Sequence, residues 1–143
     1  MIQIIQEKDI DTVAEIWLNT NISAHNFINV AYWLSNFDMV KNMLSQAEVY
    51  VYEDNSRIQG FIGLEDNYIS GIFVRSELQS CNIGKQLLDF AKTIRNELTL
   101  NVYQKNIRAV KFYQREHFKI IQAGIDKAVN EKEYCMIWKQ QST

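Results

Sequence analysis

Two places in the 143-residue sequence bring together groups suited to chemistry. The first is Gln79-Ser80-Cys81-Asn82-Ile83-Gly84, between an apolar strand-like run and the start of a helical pattern. A compact connection there gathers unpaired backbone N–H groups at the positive end of a helix dipole, an environment that holds a phosphate or pyrophosphate. Gly84 permits close approach to the main chain, and Asn82 is of a type that tolerates positive φ. Arg75 and Lys85 could add positive charge nearby. On spacing alone, a short turn with one glycine is first of all an ordinary strand–helix connection. The second place is Asn106 and Tyr113. On a helix they share a face and stand roughly 10 Å apart along the axis, at about 1.5 Å per residue, within reach of one extended ligand. For a lone helix the plainer account is Asn106 as a cap and Tyr113 as core beside Phe112.

These residues depend on the elements around them. Ile2 to Gln6 reads as a short strand, and Asp9 to Leu18 as a helix with Ile10, Val13, Ile16 and Trp17 along one face. Asn19-Thr20-Asn21 is expected to end that helix. Ile22 to Trp33, with His25, Phe27, Tyr32 and Trp33, reads as a helix-rich loop, and Phe37 to Ala47 as a further helix. Glu48 to Glu53, Arg57 to Leu64 and Tyr68 to Val74 are predicted strands, separated by the turn clusters Asp54-Asn55-Ser56 and Glu65-Asp66-Asn67. The third of these is apolar at Ile69, Ile72, Phe73 and Val74, so both of its faces are expected to be covered. Ile83 to Arg95 is a clear amphipathic helix. Leu98 to Tyr103 reads as a strand, Ile107 to Glu116 as a helix capped by Asn106, and Phe118 to Ala123 and Glu133 to Trp138 as closing strands. The strand–helix–strand unit over residues 68–103 predicts a parallel crossover within a mixed sheet.

Composition narrows the function. A chain of this length is a prior for one domain. Its 47% hydrophobic content supports a core without disulfide or metal staples. A net charge of −2, with no basic block, argues against nucleic acid as a partner. Cys81 and Cys135 are far apart and form no CxxC pair or Cys/His cluster, so no metal site is expected. Met1 to Glu7 lacks the charged and apolar regions of a signal peptide. No stretch is long enough to span a membrane, and a soluble cytoplasmic protein is expected. The chain has no proline, so breaks must come from Gly, Asn, Asp and Ser clusters.

Taken together, Ile72-Phe73-Val74, Gln79-x-x-Asn82-Ile83-Gly84, Leu87-Leu88 and Leu100-Asn101-Val102-Tyr103-Gln104-Lys105-Asn106-x-x-Ala109-x-x-Phe112-Tyr113 resemble the GNAT superfamily of acyl-CoA N-acyltransferases. The resemblance covers nearly the whole chain and the order of its elements. It includes the small bacterial YjaB-type members, which also carry a segment like His25-Asn26-Phe27-Ile28 with Tyr32-Trp33. It implies an α/β (α+β) fold: a mixed, mostly antiparallel sheet with a central parallel strand pair and helices on both faces. It also implies that coenzyme A binds with its pyrophosphate on the backbone of Gln79, Ser80, Cys81, Asn82, Ile83 and Gly84, followed by Lys85. The main chain of the preceding strand, at Ile72, Phe73 and Val74, would pair with the pantetheine arm. A backbone N–H there would polarise the thioester carbonyl. Asn106 matches the asparagine that contacts the same arm, and Tyr113 the tyrosine that protonates the departing thiolate. A phenol, with a pKa near 10, is a donor at neutral pH.

Two positions depart from the family pattern. Asn82 stands where the loop has its first glycine, and its side chain could narrow the cradle. His117 stands where a glycine usually precedes Phe118, at a helix end where a cap role is expected. Among further candidates, Glu65 lies where several relatives place the carboxylate that deprotonates the amine, and it is equally a solvated turn residue. His25 is a base, a substrate contact or an ordinary loop histidine. Phe27, Tyr32 and Trp33 either line the acceptor pocket or belong to the core. Cys81 sits where a thiol pKa falls, but direct acyl transfer leaves it no role as nucleophile. The reading that results is an N-acetyltransferase moving an acetyl group directly from acetyl-CoA to a primary amine of a protein lysine, an N-terminus or a small molecule. It would act as a monomer or homodimer with no membrane or metal requirement. A non-catalytic acyl-CoA-binding sensor or interaction module is the alternative.

Overall fold

Among the described residues of the computed structural model, 1–79 and 81–141, the chain forms seven strands and four helices. The strands are β1 (Ile2–Ile4), β2 (Glu48–Asp54), β3 (Arg57–Glu65), β4 (Tyr68–Val74), β5 (Glu97–Tyr103), β6 (Lys119–Asp126) and β7 (Glu131–Lys139). The helices are α1 (Ile10–Ala24), α2 (Val30–Met43), α3 (Ile83–Ile94) and α4 (Ile107–Arg115). One mixed sheet runs β1-β2-β3-β4-β5-β7-β6. Every neighbouring pair is antiparallel except β4 and β5.

Each face of the sheet has its own core. Ile83, Leu87, Leu88 and Ala91 of α3 bury against Ile62, Leu64, Ile69, Leu98 and Leu100 on one face. Val13, Ala14 and Ile16 of α1 bury against Val49, Val51, Ile58 and Phe61 on the other. The strict period of α3 explains its clear helical reading. A fully buried leucine such as Leu88 (0% exposed) contributes enough that truncation to alanine costs about 2–5 kcal/mol.

The N-terminal helices differ from their sequence reading. α1 runs through Asn19-Thr20-Asn21 to Ala24. Thr20 Oγ1 donates to the Ile16 carbonyl at 2.6 Å, and Asn21 Nδ2 donates to the Trp17 carbonyl at 2.9 Å. These side chains bond back onto the helix and so do not stop it. Ile22 to Trp33 is therefore a helix end, a short turn over residues 25–29, and a helix start rather than a helix-rich loop. α2 begins at Val30, well before Phe37, because Asn29 accepts the Ala31 N–H at 2.9 Å as N-cap.

β4 is the strand on which the site depends, and as expected both of its faces meet a core: Ile69, Ile72 and Val74 pack on the α3 side and Phe73 on the α1 side, with Ile72 and Phe73 only partly buried. β4 and β5 are bridged at Tyr68–Thr99 only, among the described residues. Toward Val74 the edge of β4 that faces β5 has no partner strand. The ladder to β3 also slips, since Leu64 opposes Ile69 whereas Gly63 opposes Gly71, leaving Ser70 as an extra residue. Such a bulge re-aims side chains and interrupts pairing. Phe73 folds its ring over Gly71, where any side chain would collide with it, and stacks on Phe61 at 4.8 Å.

Candidate active site

Two cavities open along the seam where β4 and β5 part. One, of about 570 Å³, lies between the start of α3 and α4. Gln79, Asn82, Gly84 and Lys85 line one side of it, and Arg108, Phe112 and Arg115 the other. The second, of about 470 Å³, lies on the side of α1 and α2 and is walled by Trp17, Trp33, Tyr68, Tyr103, Asp126 and Glu133. Both are lined by Asn21, His25, Ile72, Phe73, Asn106, Ala109 and Tyr113, so they meet at the seam.

The first cavity has the character of an anion cradle. The first bond at the head of α3 runs from the Gln86 N–H to the Asn82 carbonyl at 3.2 Å. The N–H groups of Ile83, Gly84 and Lys85 thus have no partner within the helix. Asn82 precedes them in the left-handed region (φ 68°, ψ 12°) and makes no side-chain cap bond. A Cβ at Gly84 would meet Phe112, Val74 and Ile72 at 3.7, 3.8 and 4.0 Å, so the missing side chain leaves open the floor between β4 and α4. Gln79 Nε2 donates to the Val74 carbonyl at 3.3 Å and ties the loop to the strand. The Lys85 ammonium bonds Glu116 at 3.0 Å and Asp89 at 3.3 Å, which raise its pKa. Among the described residues Arg108 and Arg115 carry no ion pair, and they are the cations free to meet an anionic ligand. Arg75, by contrast, donates to the Ile58 carbonyl at 2.8 Å and serves the fold.

At the seam, Asn106 caps α4 by accepting the Ala109 N–H on Oδ1 at 3.2 Å. That orients its amide, so Nδ2 donates to His25 Nε2 at 3.1 Å. The acceptor role of Nε2 puts the imidazole proton on Nδ1, which is buried without a hydrogen-bond partner. Burial lowers the His25 pKa to about 4; the Asn21 backbone opposes the shift without being placed to bond Nδ1. Tyr113 is 8% exposed and packs edge-on to Phe112 and Phe118 at 5.2 and 5.5 Å. Burial, and Tyr68 nearby, push its phenol well above the usual range, so it is a proton donor at any physiological pH. Among the described residues no protein group accepts its hydroxyl.

Of the acceptor-side candidates, His25 and Trp33 line the cavity, stacked at 5.5 Å, while Phe27 and Tyr32 line neither cavity and buttress them. Glu65 is exposed at the end of β3 and lines neither cavity, which removes it from the position expected of a base. Cys81 is likewise exposed and off the cavities. Ile83 offers only its backbone, since its side chain is core. Ser80 lies outside the described residues. His117 takes φ 74°, and the Phe118 N–H returns to the Tyr113 carbonyl at 2.9 Å, a left-handed helix ending of the kind glycine usually makes.

Comparison with known proteins decides the family. The model of the acetyltransferase (GNAT) domain matches residues 21–128. The chain belongs to the GNAT acetyltransferases. The peptidyl-lysine N-acetyltransferase YiaC of Escherichia coli is 29% identical over 140 residues, covering 96% of each chain. The solution structure of apo-form YjaB from Escherichia coli shares the fold with a TM-score of 0.86 at 22% identity, over 99% of this chain and 98% of that one. A further fold match is yncA of Salmonella typhimurium, solved with acetyl-CoA, with a TM-score of 0.68 at 14% identity over 100% of this chain and 95% of that one. The mixed sheet with its single parallel pair is thus the GNAT fold, and the chain is an acetyl-CoA-dependent N-acetyltransferase.

The residues present fit that cofactor. The unpaired N–H groups of α3, the open floor at Gly84 and the free Arg108 and Arg115 suit a pyrophosphate with its neighbouring charge, and the unpartnered edge of β4 suits an extended amide arm. The arginines and the pair Asp126 and Glu133 were not legible in the sequence, because nothing in their spacing marks them.

Two expectations arise from this GNAT site. Asn82→Gly should bind coenzyme A as well as the parent or more tightly, since glycine keeps the left-handed turn at no steric cost and widens the cradle. A large loss of affinity by calorimetry would mean the asparagine side chain makes a needed contact. The second concerns His25, whose folded pKa of about 4 lies below the ordinary histidine value of 6.5. Between those values the unfolded chain binds the extra proton, so stability falls as pH falls through that window. His25→Gln should flatten this part of the pH dependence in urea melts, and an unchanged slope would refute it.

Proposed function

We propose that this chain acetylates the side-chain ammonium of protein lysines. The observation that carries the reading is the character of the second cavity. Its walls are aromatic, its charges are the carboxylates of Asp126 and Glu133, and among the described residues no lysine or arginine lines it. Its histidine is held neutral by burial. Such a chamber favours a cationic amine on an apolar stem. The name of the relative YiaC, a peptidyl-lysine N-acetyltransferase, points the same way.

When bound, acetyl-CoA supplies a thioester carbonyl carbon open to attack by an amine. The head of α3 and the arginines of α4 hold the anionic end, which leaves the unpaired stretch of β4 beside the acyl end. A main-chain N–H on the unpaired edge of β4, at Ile72 to Val74, would polarise the carbonyl. Tyr113, on both cavities, gives a proton to the departing sulfur. Asn106 and His25 brace the turn after α1 against α4, so the donor and acceptor sides keep one geometry. The free thiols of Cys81 and Cys135 suit a reducing compartment such as the cytoplasm.

The test is thiol release from acetyl-CoA against lysine-containing peptides with blocked N-termini, peptides with free N-termini and no lysine, and small polyamines. Release with the first class supports the reading. Release only with the others overturns it, and tight acetyl-CoA binding without release to any amine indicates a non-catalytic module.

A further inference from the structure

The sequence reading offers Glu65 as the group that takes the acceptor's proton, and Glu65 lies off both cavities. A lysine ammonium, with an unperturbed pKa near 10.4, must lose a proton before its nitrogen can attack. We propose that Glu133 is the general base for the acceptor ammonium and that Asp126 is its positioning partner. This rests on the lysine reading above.

The sheet order brings these groups together. β7 lies between β5 and β6, with Tyr103 and Gly124 directly opposite Glu133 and Asp126 opposite Glu131. Directly paired residues share a face, and that face is the one walling the acceptor cavity. Two carboxylates line that cavity among the described residues, and their bonding differs. Asp126 is fully engaged: Oδ2 accepts the Tyr103 hydroxyl at 2.8 Å, and Oδ1 accepts the Ala128 N–H at 3.1 Å. Glu133 accepts a long bond from Asn101 Nδ2 on Oε1, at 3.3 Å, and its Oε2 has no partner among the described residues. It therefore has a free lone pair in the chamber, beside an opposing glycine that puts no side chain over it.

Its surroundings suit the task. The groups facing it are Asp126 on β6, Tyr103 and Asn101 on β5, Tyr68 on β4, Cys135 on its own strand, and neutral His25 from the helical side. The nearby cation Lys105 is paired with Glu131 at 3.2 Å and lies over the Phe27 ring. Burial first, and the charge of Asp126 second, raise the Glu133 pKa above the usual glutamate value, which strengthens it as a base. Both tyrosines are held protonated, so neither competes for the proton.

The protons balance. The ammonium gives its first proton to Glu133, directly or through one water. As the C–N bond forms, the nitrogen loses its second proton to solvent, which restores the proton that Tyr113 gives to sulfur as the C–S bond breaks. Glu133 then returns its proton to solvent, so each turnover releases one.

The experiment pairs Glu133→Gln with Asp126→Asn in the full chain. Glu133→Gln should lower kcat/KM for a lysine peptide at neutral pH by roughly a hundred- to ten-thousand-fold. Its rate should climb toward the parent's at high pH, where free amine is abundant, while the acetyl-CoA thermal shift stays unchanged. Asp126→Asn should move the acid limb of the parent's pH–rate profile to lower pH, a shift that a merely structural role would not give. In the free protein, the Glu133 carboxyl carbon should titrate by NMR above the usual glutamate and move toward it in Asp126→Asn. An ordinary Glu133 titration, or a Glu133→Gln profile with the parent's shape, overturns the proposal. A uniform rise in KM alone also overturns it, since it would make Glu133 an ammonium anchor and not a base. If the parent acetylates no lysine peptide, the lysine reading fails instead, and the NMR titration still decides Glu133.

Discussion

Tyr113→Phe is expected to reduce kcat by roughly a hundred- to ten-thousand-fold, the range for loss of a general acid, with acetyl-CoA affinity and folding nearly intact. The phenol sits where both cavities meet, 8% exposed, with its proton held far above physiological pH by burial. Phenylalanine keeps the edge-on packing against Phe112 and Phe118. Because no described residue accepts the hydroxyl, its removal strands no partner, and the variant should melt at or above the parent's temperature. The hydroxyl acts on a charge that develops only as the thiolate leaves, so the loss belongs to kcat more than to binding. It should shrink for thioesters of more acidic thiols, which leave with less help. Full activity of Tyr113→Phe on a lysine peptide would assign the proton to water or another group. A large loss of acetyl-CoA affinity would make Tyr113 a binding residue.

The parts of this site that were legible in the sequence are those written locally. The strict period of Ile83, Leu87, Leu88 and Ala91 marks α3, and the loop before it follows from where the apolar β4 run stops. Asn82 and His117 are visible as departures at positions where glycine usually stands, and both adopt positive φ. Polar residues bonding back to their own helix were not legible, which is why α1 extends past Asn19-Thr20-Asn21. The acidic wall was not legible either. Asp126 and Glu133 meet Tyr103 only because β7 inserts between β5 and β6, a pairing between distant segments that no local pattern records. Glu65 shows the converse. The sequence reads it as part of the turn entering β4, but it is the last, exposed residue of β3, away from both cavities. The half-exposure of Ile72 and Phe73 has the same origin, since an apolar run says nothing about a neighbouring strand that pairs at one point and then parts.

Gly84→Val should abolish the rise in melting temperature that acetyl-CoA gives the parent. A ligand held at a hundred times its dissociation constant stabilises the native state by about 2.7 kcal/mol. For a domain of this size that is a shift of roughly 5 to 15 °C, large enough to read directly. The apo fold should survive the change. Gly84 lies in the first turn of α3, where glycine is already a poor helix former. A Cβ there meets Phe112, Val74 and Ile72 only at ordinary contact distances. Gly84→Ala is therefore the control that adds the Cβ alone and should keep much of the shift. The two γ-methyls of valine must go further into the floor between β4 and α4, where the main chain of β4 and the amides of α3 are to be approached together. Loss of the shift in valine, with an unchanged apo melting temperature, places the anionic end of the cofactor on this turn. An undiminished shift in Gly84→Val would mean that the cofactor is held elsewhere on the chain, and Arg108 and Arg115 would then have to be explained without it.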